Sequence, residues 1–518
     1  MSHPRGEAAE ILGATEKLLV LLSVSVPSFM INLDSNIVAV SLPSIARSLH
    51  ADFAAIEWVI STYTLMFASL VMPAGALADR YGRKRVLVSG LAIFTLASLI
   101  CGAAPTVLIL NVARAFQGLG AALQLSAALA ILSHGFRGTE RARAFAFWGS
   151  VIGIAMTLGP VTGGIITQRF GWQWAFYVNI PVGIVIIGII LRSVRESRDP
   201  EAVGVDVPGL LSFSASLFLL TFGLISGNHR GWTSATVLAE LIGAAALFAT
   251  FLFVETRRSR PMLDLSFFKR STYIGSNVTG VAFAACFLTM LTYLPLYFQG
   301  GLSASPTRAG LLMLPMAIPL FAGPRVVSAY LTYKFSGRTL LAVGLALVST
   351  GLFWMAMVAP LFRYEAMLVG MMIAGCGAGI LNGESAKVGM TVIPPERAGM
   401  ASGVGGTVRF SGVVIGFAAL GAVLYQRIAG VIGEAFGPGH GAAVATLTRA
   451  IASGKLTPGS GAALASHAFG AGYQTLLFSA ATFAGLSTLI SWFCVRADET
   501  QPLARRDSAH ATLVLPVE

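Results

Sequence analysis

Two charges stand where charges are costly. Asp34 falls within an apolar stretch at 18–42, and Arg114 within another at 106–134. An ionisable side chain inside a membrane-spanning helix is expensive to keep there and marks a functional site by default. The pair has a definite chemistry. A carboxylate accepts and releases a proton, whereas a guanidinium stays charged. An arginine that moves toward or away from a buried carboxyl changes whether that carboxyl holds a proton. Each residue sits about eight positions, roughly 12 Å, from the outer end of its expected helix. They therefore share a depth and can see each other. A purely structural ion pair is the plain alternative.

The elements that must hold these residues follow from composition. The chain has 518 residues, 55% of them hydrophobic and 11% charged, with a mean hydropathy of +0.76. A soluble domain carries about 25% charge, so most of this surface does not meet water. A span needs roughly 20 apolar residues. Fourteen such stretches are expected, at 18–42, 56–78, 86–104, 106–134, 142–168, 173–193, 208–226, 235–256, 272–299, 307–331, 338–359, 364–386, 402–428 and 472–495. An even number puts both termini on one side. Loops on that side hold 24 of the 35 Lys and Arg residues, the other side holds 8, and Arg114, Arg325 and Arg409 are embedded. This bias predicts cytoplasmic termini and a plasma-membrane (inner-membrane) protein. The net charge of +12 sits in short loops beside apolar runs, which argues against nucleic acid as a partner and names the bilayer instead. The four cysteines, Cys101, Cys286, Cys376 and Cys494, are widely spaced in or at the end of apolar segments, so neither a metal site nor a disulfide is expected. No cofactor is expected. The polar start runs into a stretch of full spanning length, which predicts a retained helix and not a cleaved signal.

Three short matches recur at nearly one offset: Gly82-Arg83 with Gly337-Arg338, Gly118 to Ala121 with Gly375 to Ala378, and Glu140 to Ala142 with Glu396 to Ala398. Internal repeats of this kind occur in secondary transporters, with the binding site between the halves. The repeat pairs helices 1–6 with helices 9–14 and leaves helices 7 and 8 as an insertion. The expected organisation is a terminus at 1–17, a six-helix bundle at 18–195, a linker with two inserted helices at 196–271, a second six-helix bundle at 272–495 carrying an external loop at 426–473, and a tail at 496–518. A short helix near 442–452 is expected within that loop.

Five motifs give the chain its resemblance. Gly75 to Leu87 reads GALADRYGRKRVL and packs an acid, Asp79, two glycines and the cations Arg80, Arg83, Lys84 and Arg85 into one loop. Helix 1 carries Leu33-Asp34-Ser35-Asn36-Ile37-Val38, and helix 4 carries Arg114, Gln117, Gly118 and Gly120. Helix 5 carries Gly159-Pro160-Val161-Thr162-Gly163-Gly164, where the proline kinks and the glycines allow close packing. Helix 6 starts with Gly171-Trp172-Gln173-Trp174-Ala175-Phe176 and includes Asn179, Pro181 and Gly183. Together these resemble the major facilitator superfamily, and within it the fourteen-helix drug:proton antiporters of the EmrB/QacA type. The resemblance implies an all-α polytopic membrane protein with the major facilitator fold, two six-helix bundles plus two inserted helices. It implies that Gly75, Asp79, Arg80, Gly82 and Arg83 form a conformational latch, with Asp79 against the N-terminus of helix 13, where a helix carries partial positive charge. It implies that Gly159, Pro160, Gly163 and Gly164 are the antiporter motif, with ordinary small-residue packing as the alternative. The matching loop of the second half, Tyr330 to Arg338, lacks the acid, and Gln173 stands where the family usually has Arg.

Other residues remain. Glu384 with Arg325 or Arg409 is a candidate inner gate, with interfacial snorkelling as the alternative. Tyr63, Phe67, Gln117, Tyr293 and Tyr297 are candidate cavity residues, the aromatics suited to a flat or cationic guest, with core packing as the alternative. The expected activity is proton-coupled efflux of a lipophilic or cationic small molecule by alternating access, with proton antiport through Asp34. Uptake by proton symport and a non-transporting sensor or scaffold stand as alternatives. A periplasmic adaptor docking on the loop at 426–473 is a further candidate partner. No phosphate-binding Gly-x4-Gly-Lys loop is present, so ATP hydrolysis, and enzymatic activity generally, are not expected.

Overall fold

A computed structural model describes residues 14–136, 138–198, 206–258, 265–393, 398–437, 440–454 and 461–502. Among them, fourteen helices are long and apolar enough to cross a membrane. Helices 1 to 8 run over Ala14–Ser48, Phe53–Tyr81, Arg83–Gly102, Val107–Gly135, Gly138–Phe170, Asn179–Ser193, Val207–Arg230 and Ala235–Arg257. Helix 9 joins Ser271–Ala282 to Met290–Gly300 through a wide π turn at Phe283–Leu288. Helix 10 joins Pro306–Leu312 to Leu314–Val326 and ends in a second π turn at Val327–Leu331. Helices 11 to 14 run over Gly337–Val358, Tyr364–Met390, Ala398–Phe436 and Ala462–Cys494.

Local sequence explains the boundaries. Asp52, Thr106, Asp206, Ser234, Ser305 and Ser336 cap helices 2, 4, 7, 8, 10 and 11, each side-chain oxygen accepting from a backbone N–H of the first turn. Helix 1 passes through Pro43 and continues to Ser48, beyond the expected end at 42. Helices packed by neighbours in a membrane tolerate such a proline. The segment expected as a long loop at 426–473 is largely helical instead. Helix 13 extends to Phe436, a short helix occupies Gly441–Ala452, and helix 14 begins at Ala462. Alanine is the strongest helix former, and the alanines of this Gly/Ala/Ser-rich stretch outweigh its glycines.

Helices 1–6 pack as one bundle and helices 9–14 as another. In the first, helices 3 and 4 approach through Gly90 and Gly120. A methyl at 120 would lie 2.7 Å from the Gly90 carbonyl oxygen. In the second, helices 11 and 12 do the same through Gly344 and Gly377, with a corresponding 2.5 Å. Inserted helices 7 and 8 pack on each other, and helix 7 lies along helices 2 and 13, where Leu217 joins Leu65, Ala68 and Val414. The bundles meet along two seams, helix 2 with helix 13 and helix 5 with helix 10, and helix 1 also touches helix 9. Both ends of the described chain lie on one side of the molecule, called here the terminal side. Lys17 pairs with Glu140 at 2.8 Å beside the start of helix 5, and Gly337 N–H donates to the Thr500 carbonyl at 2.9 Å.

Candidate functional site

Helices 1, 2, 3, 4 and 6 converge on Asp34. Arg114 Nη1 donates to Asp34 Oδ2 at 2.6 Å, and neither side chain reaches solvent. Gln117 Nε2 and Asn179 Nδ2 each donate to Asp34 Oδ1 at 2.9 Å. Gln117 Nε2 also donates to Ser98 Oγ at 2.9 Å, while its Oε1 accepts from Arg114 Nη1 at 2.7 Å. Arg114 Nε donates to the Val59 carbonyl at 3.1 Å, and its guanidinium lies 4.1 Å from the Tyr63 ring centroid. A buried carboxylate needs a partner charge and filled lone pairs, and this one has both. The arrangement suits a carboxylate that is ionised while the arginine faces it. Binding a proton would leave a net positive charge sealed in the bundle, so a protonated Asp34 favours rearrangement. Sequence reading brings Asp34 and Arg114 together and names Gln117 as a cavity residue, whereas here Gln117 is turned onto Asp34. That reading assigns no role to Asn179 or Ser98, because hydroxyls and amides are common in spanning helices.

The helix 5 motif faces two ways. Gly159 and Gly163 press on helix 1, where added methyls would lie 2.5 Å from Asn36 Cβ and 2.8 Å from Ile37 Cα. Pro160 and Gly164 face helix 10 of the other bundle. The Pro160 carbonyl occupies the space a side chain at Gly310 would need, and the Pro306 carbonyl fills that beside Gly164. This seam lies away from the terminal side. Gln299 Nε2 extends the contact between bundles there, donating to the Val40 carbonyl at 2.8 Å. The halves are thus closed at the far side.

The other expected groups divide. Asp79 turns back to Arg83 of the same loop, which donates to its Oδ1 through Nε at 2.9 Å and Nη2 at 2.8 Å. Gly82 has φ +110°, and its bare Cα leaves room for Glu196. Glu196 accepts from the N–H groups of Lys84 and Arg85 at 3.0 and 3.2 Å, placing a carboxylate on the start of helix 3. Arg80 is exposed over the Tyr81 ring, and the space beside Gly75 is open. Residues 394–397, before helix 13, lie outside the described residues, as do Glu396 and Arg397 of the repeat.

Glu384, Arg325 and Arg409 are each engaged separately. Lys387 donates to Glu384 at 2.5 Å, Arg325 donates to Ser150 Oγ at 2.8 Å, and Arg409 donates to Asn382 Oδ1 at 3.5 Å while facing the Phe283 ring. Helix 12 breaks between them, where Asn382 is non-helical and Gly383 has φ +103°. Among the expected cavity aromatics, Tyr63 backs Arg114, and Phe67 meets Phe410 of helix 13 edge-on at 4.3 Å. Tyr293 and Tyr297 are fully buried and donate to the Phe417 and Ala359 carbonyls, both at 2.6 Å. The four aromatics do not line one chamber in this conformation.

The chain is similar to known proteins in sequence and in fold. The profile of the Major Facilitator Superfamily matches residues 25–417. The multidrug resistance protein Stp of Mycobacterium tuberculosis is 36% identical over 79% of this chain and 76% of its own length. The methylenomycin A resistance protein of Streptomyces coelicolor is 33% identical over 77% of this chain and 83% of its own. The drug efflux pump JefA of Mycobacterium tuberculosis is 32% identical over 78% and 80%. A bacterial homologue of the human lysosomal transporter Spinster, crystallised inward-facing and occupied, superposes with a TM-score of 0.69 at 15% identity, covering 95% of this chain and 100% of the other. At that identity the likeness concerns the fold.

Proposed function

The chain belongs to the Major Facilitator Superfamily, and on that premise we propose that it is a proton-coupled efflux transporter of lipophilic or cationic small molecules, a transporter and not an enzyme. The observation that carries the coupling is the buried Asp34–Arg114 pair, with both remaining lone-pair directions of Asp34 Oδ1 taken by amides. Substrate enters between the bundles from the terminal side, read as cytoplasmic from the distribution of Lys and Arg. Rocking about the seams then turns the site outward. A proton arriving at Asp34 cancels its charge, loosens Arg114 and favours return. Proton entry is downhill by about 2.3 kcal/mol per 100 mV of potential. In the closed-outward arrangement Asp79 is spent on Arg83. In the opposite state Asp79 is free to meet helix 13, which makes the loop a latch for one conformation.

An adaptor on the far side would meet the Gly441–Ala452 helix, whose Thr448, Ile451 and Ala452 are buried. The decisive experiment uses proteoliposomes with an imposed pH gradient and a panel of lipophilic cations, weak acids and sugars. Drug-driven proton release in the wild type and its loss in Asp34→Asn is the expected result. Unchanged coupling in that variant removes Asp34 from the mechanism. Proton and substrate moving in the same direction makes the protein a symporter.

A further inference from the structure

Glu57 lies in helix 2, near the far side, and is only 2% exposed. It sits in the seam between bundles. Its Oε1 has no hydrogen-bond partner and occupies the space where a side chain on Gly421 of helix 13 would project, with the Tyr293 hydroxyl of helix 9 beside it. Among the described residues no cation pairs with Glu57. Tyr293 has one proton, which it donates to the Phe417 carbonyl. A hydrogen bond between Glu57 and Tyr293 therefore requires the proton to sit on Glu57. The other charged and titratable groups nearby do not change this. Asp52, the cap residue before the same helix, is a second carboxylate and adds repulsion. Tyr473 of helix 14 donates to the Tyr293 carbonyl. Tyr425 of helix 13 and Arg449 of the short helix face each other. Arg114 of helix 4 is committed to Asp34 and to the Val59 carbonyl. A bare carboxylate sealed here would lack a charge partner and could gain a donor only by drawing the Tyr293 hydroxyl away from the Phe417 carbonyl, a costly state. The carboxylic acid fits.

We infer that Glu57 is a gating-proton site: the far-side seam between helices 2 and 13 closes over Glu57 in its protonated form and opens when that proton is lost to water. The proton is taken up and returned on the same side, so it gates the cycle without crossing the membrane. This role is distinct from that proposed for Asp34. It rests on alternating access between two bundles, and not on Asp34 as the coupling group. The sign follows from linkage. Closure binds one proton, so the open-to-closed ratio at the far side rises by at most about tenfold per pH unit.

The test is a distance measurement by double electron–electron resonance on the full chain in lipid nanodiscs between pH 5 and 9. Spin labels replace Ser48 and Arg308, both exposed on the far side. Of the native cysteines, Cys101 and Cys286 are buried, so Cys376→Ser and Cys494→Ser suffice as background. In the wild type the long-distance population is expected to grow with pH. Glu57→Gln should hold the short distance at every pH. Asp34→Asn should lose drug-coupled proton movement in vesicles yet keep the far-side pH response, which separates the two roles. A wild-type pH response in Glu57→Gln overturns the inference, as does a response lost in Asp34→Asn and kept in Glu57→Gln. A second arm covers a Glu57→Gln chain that fails to fold. Gly421→Ala drives a methyl into Glu57 and should open the far side at all pH values, and adding Glu57→Ala should close it again. A Gly421→Ala chain with the wild-type distance distribution would likewise refute the contact.

Discussion

In the N-terminal bundle, helices 3 and 4 meet backbone to backbone at Gly90 and Gly120. In the C-terminal bundle, helices 11 and 12 do so at Gly344 and Gly377. The scaffolds match, but their buried contents do not. The first bundle encloses an ion pair bracketed by Gln117, Asn179 and Ser98. The second encloses mainly aromatics, its buried Glu384 being paired with Lys387 on the same helix. Tyr297 stacks on Phe362 and Phe469 with centroids 5.8 and 6.1 Å away and meets Tyr473 at 5.1 Å. The hydroxyls of Tyr293, Tyr297 and Tyr473 all donate to backbone carbonyls. A duplicated framework has thus been filled with charge on one side and with rings on the other. A proton bound at Asp34 would cancel one charge of a sealed pair, and the tyrosine cluster holds no such pair.

Substitutions can break or sharpen that contrast. Arg114→Met should have the largest effect, destabilising the protein by about 3–5 kcal/mol, because it leaves Asp34 charged and unpaired in the bundle. Thermal unfolding in detergent measures this. The double variant Asp34→Asn with Arg114→Met should recover much of the stability while staying unable to couple protons. If it is no more stable than the single variant, the ion pair is not what fixes the bundle. Asn179→Ala should cost about 1.5–3 kcal/mol, since it removes a donor to a charged group, and should shift the pH dependence of drug-driven proton release. Gly310→Leu forces bulk against the Pro160 carbonyl. An overpacking cost of about 1–3 kcal/mol, falling only on the far-side-closed state, should slow export while leaving the Asp34 network in place. Tyr297→Phe should be mildest, about 1 kcal/mol for one neutral hydrogen bond, with proton coupling unchanged. Altered coupling in Tyr297→Phe would break the division of labour between the bundles.

The fourteen spans and the Asp34–Arg114 partnership were legible because hydropathy and charge within an apolar run are signals carried by single residues. Other features depend on rotation about helix axes, which a depth estimate does not supply. Glu384, Arg325 and Arg409 share embedded character yet point to Lys387, Ser150 and Asn382. Glu57 draws no notice five residues into a span, where water is normally close. Only the packing of Gly421 and Tyr293 over it shuts it away. The short helix at 441–452 was expected, whereas the continuation of helix 13 to Phe436 and the start of helix 14 at Ala462 were missed, because glycine and serine obscured the alanine content there. The partner of Asp79 depends on which conformation the chain adopts, and a sequence holds all conformations at once.

One small contact has a mechanical meaning. Arg83 N–H donates to the Ser197 carbonyl at 2.9 Å, and Gly337 N–H donates to the Thr500 carbonyl at the same distance. In each bundle the start of the third helix is clasped by the chain that leaves the sixth. Each half therefore closes its own ring on the terminal side without borrowing a strap from the other. The two are built like separately buckled halves of a clamshell. A chain cut between Arg258 and Leu265 and produced as two fragments would retain both buckles, and reassembly of the fragments would rest on the two seams together with helix 7 against helix 13 and helix 1 against helix 9.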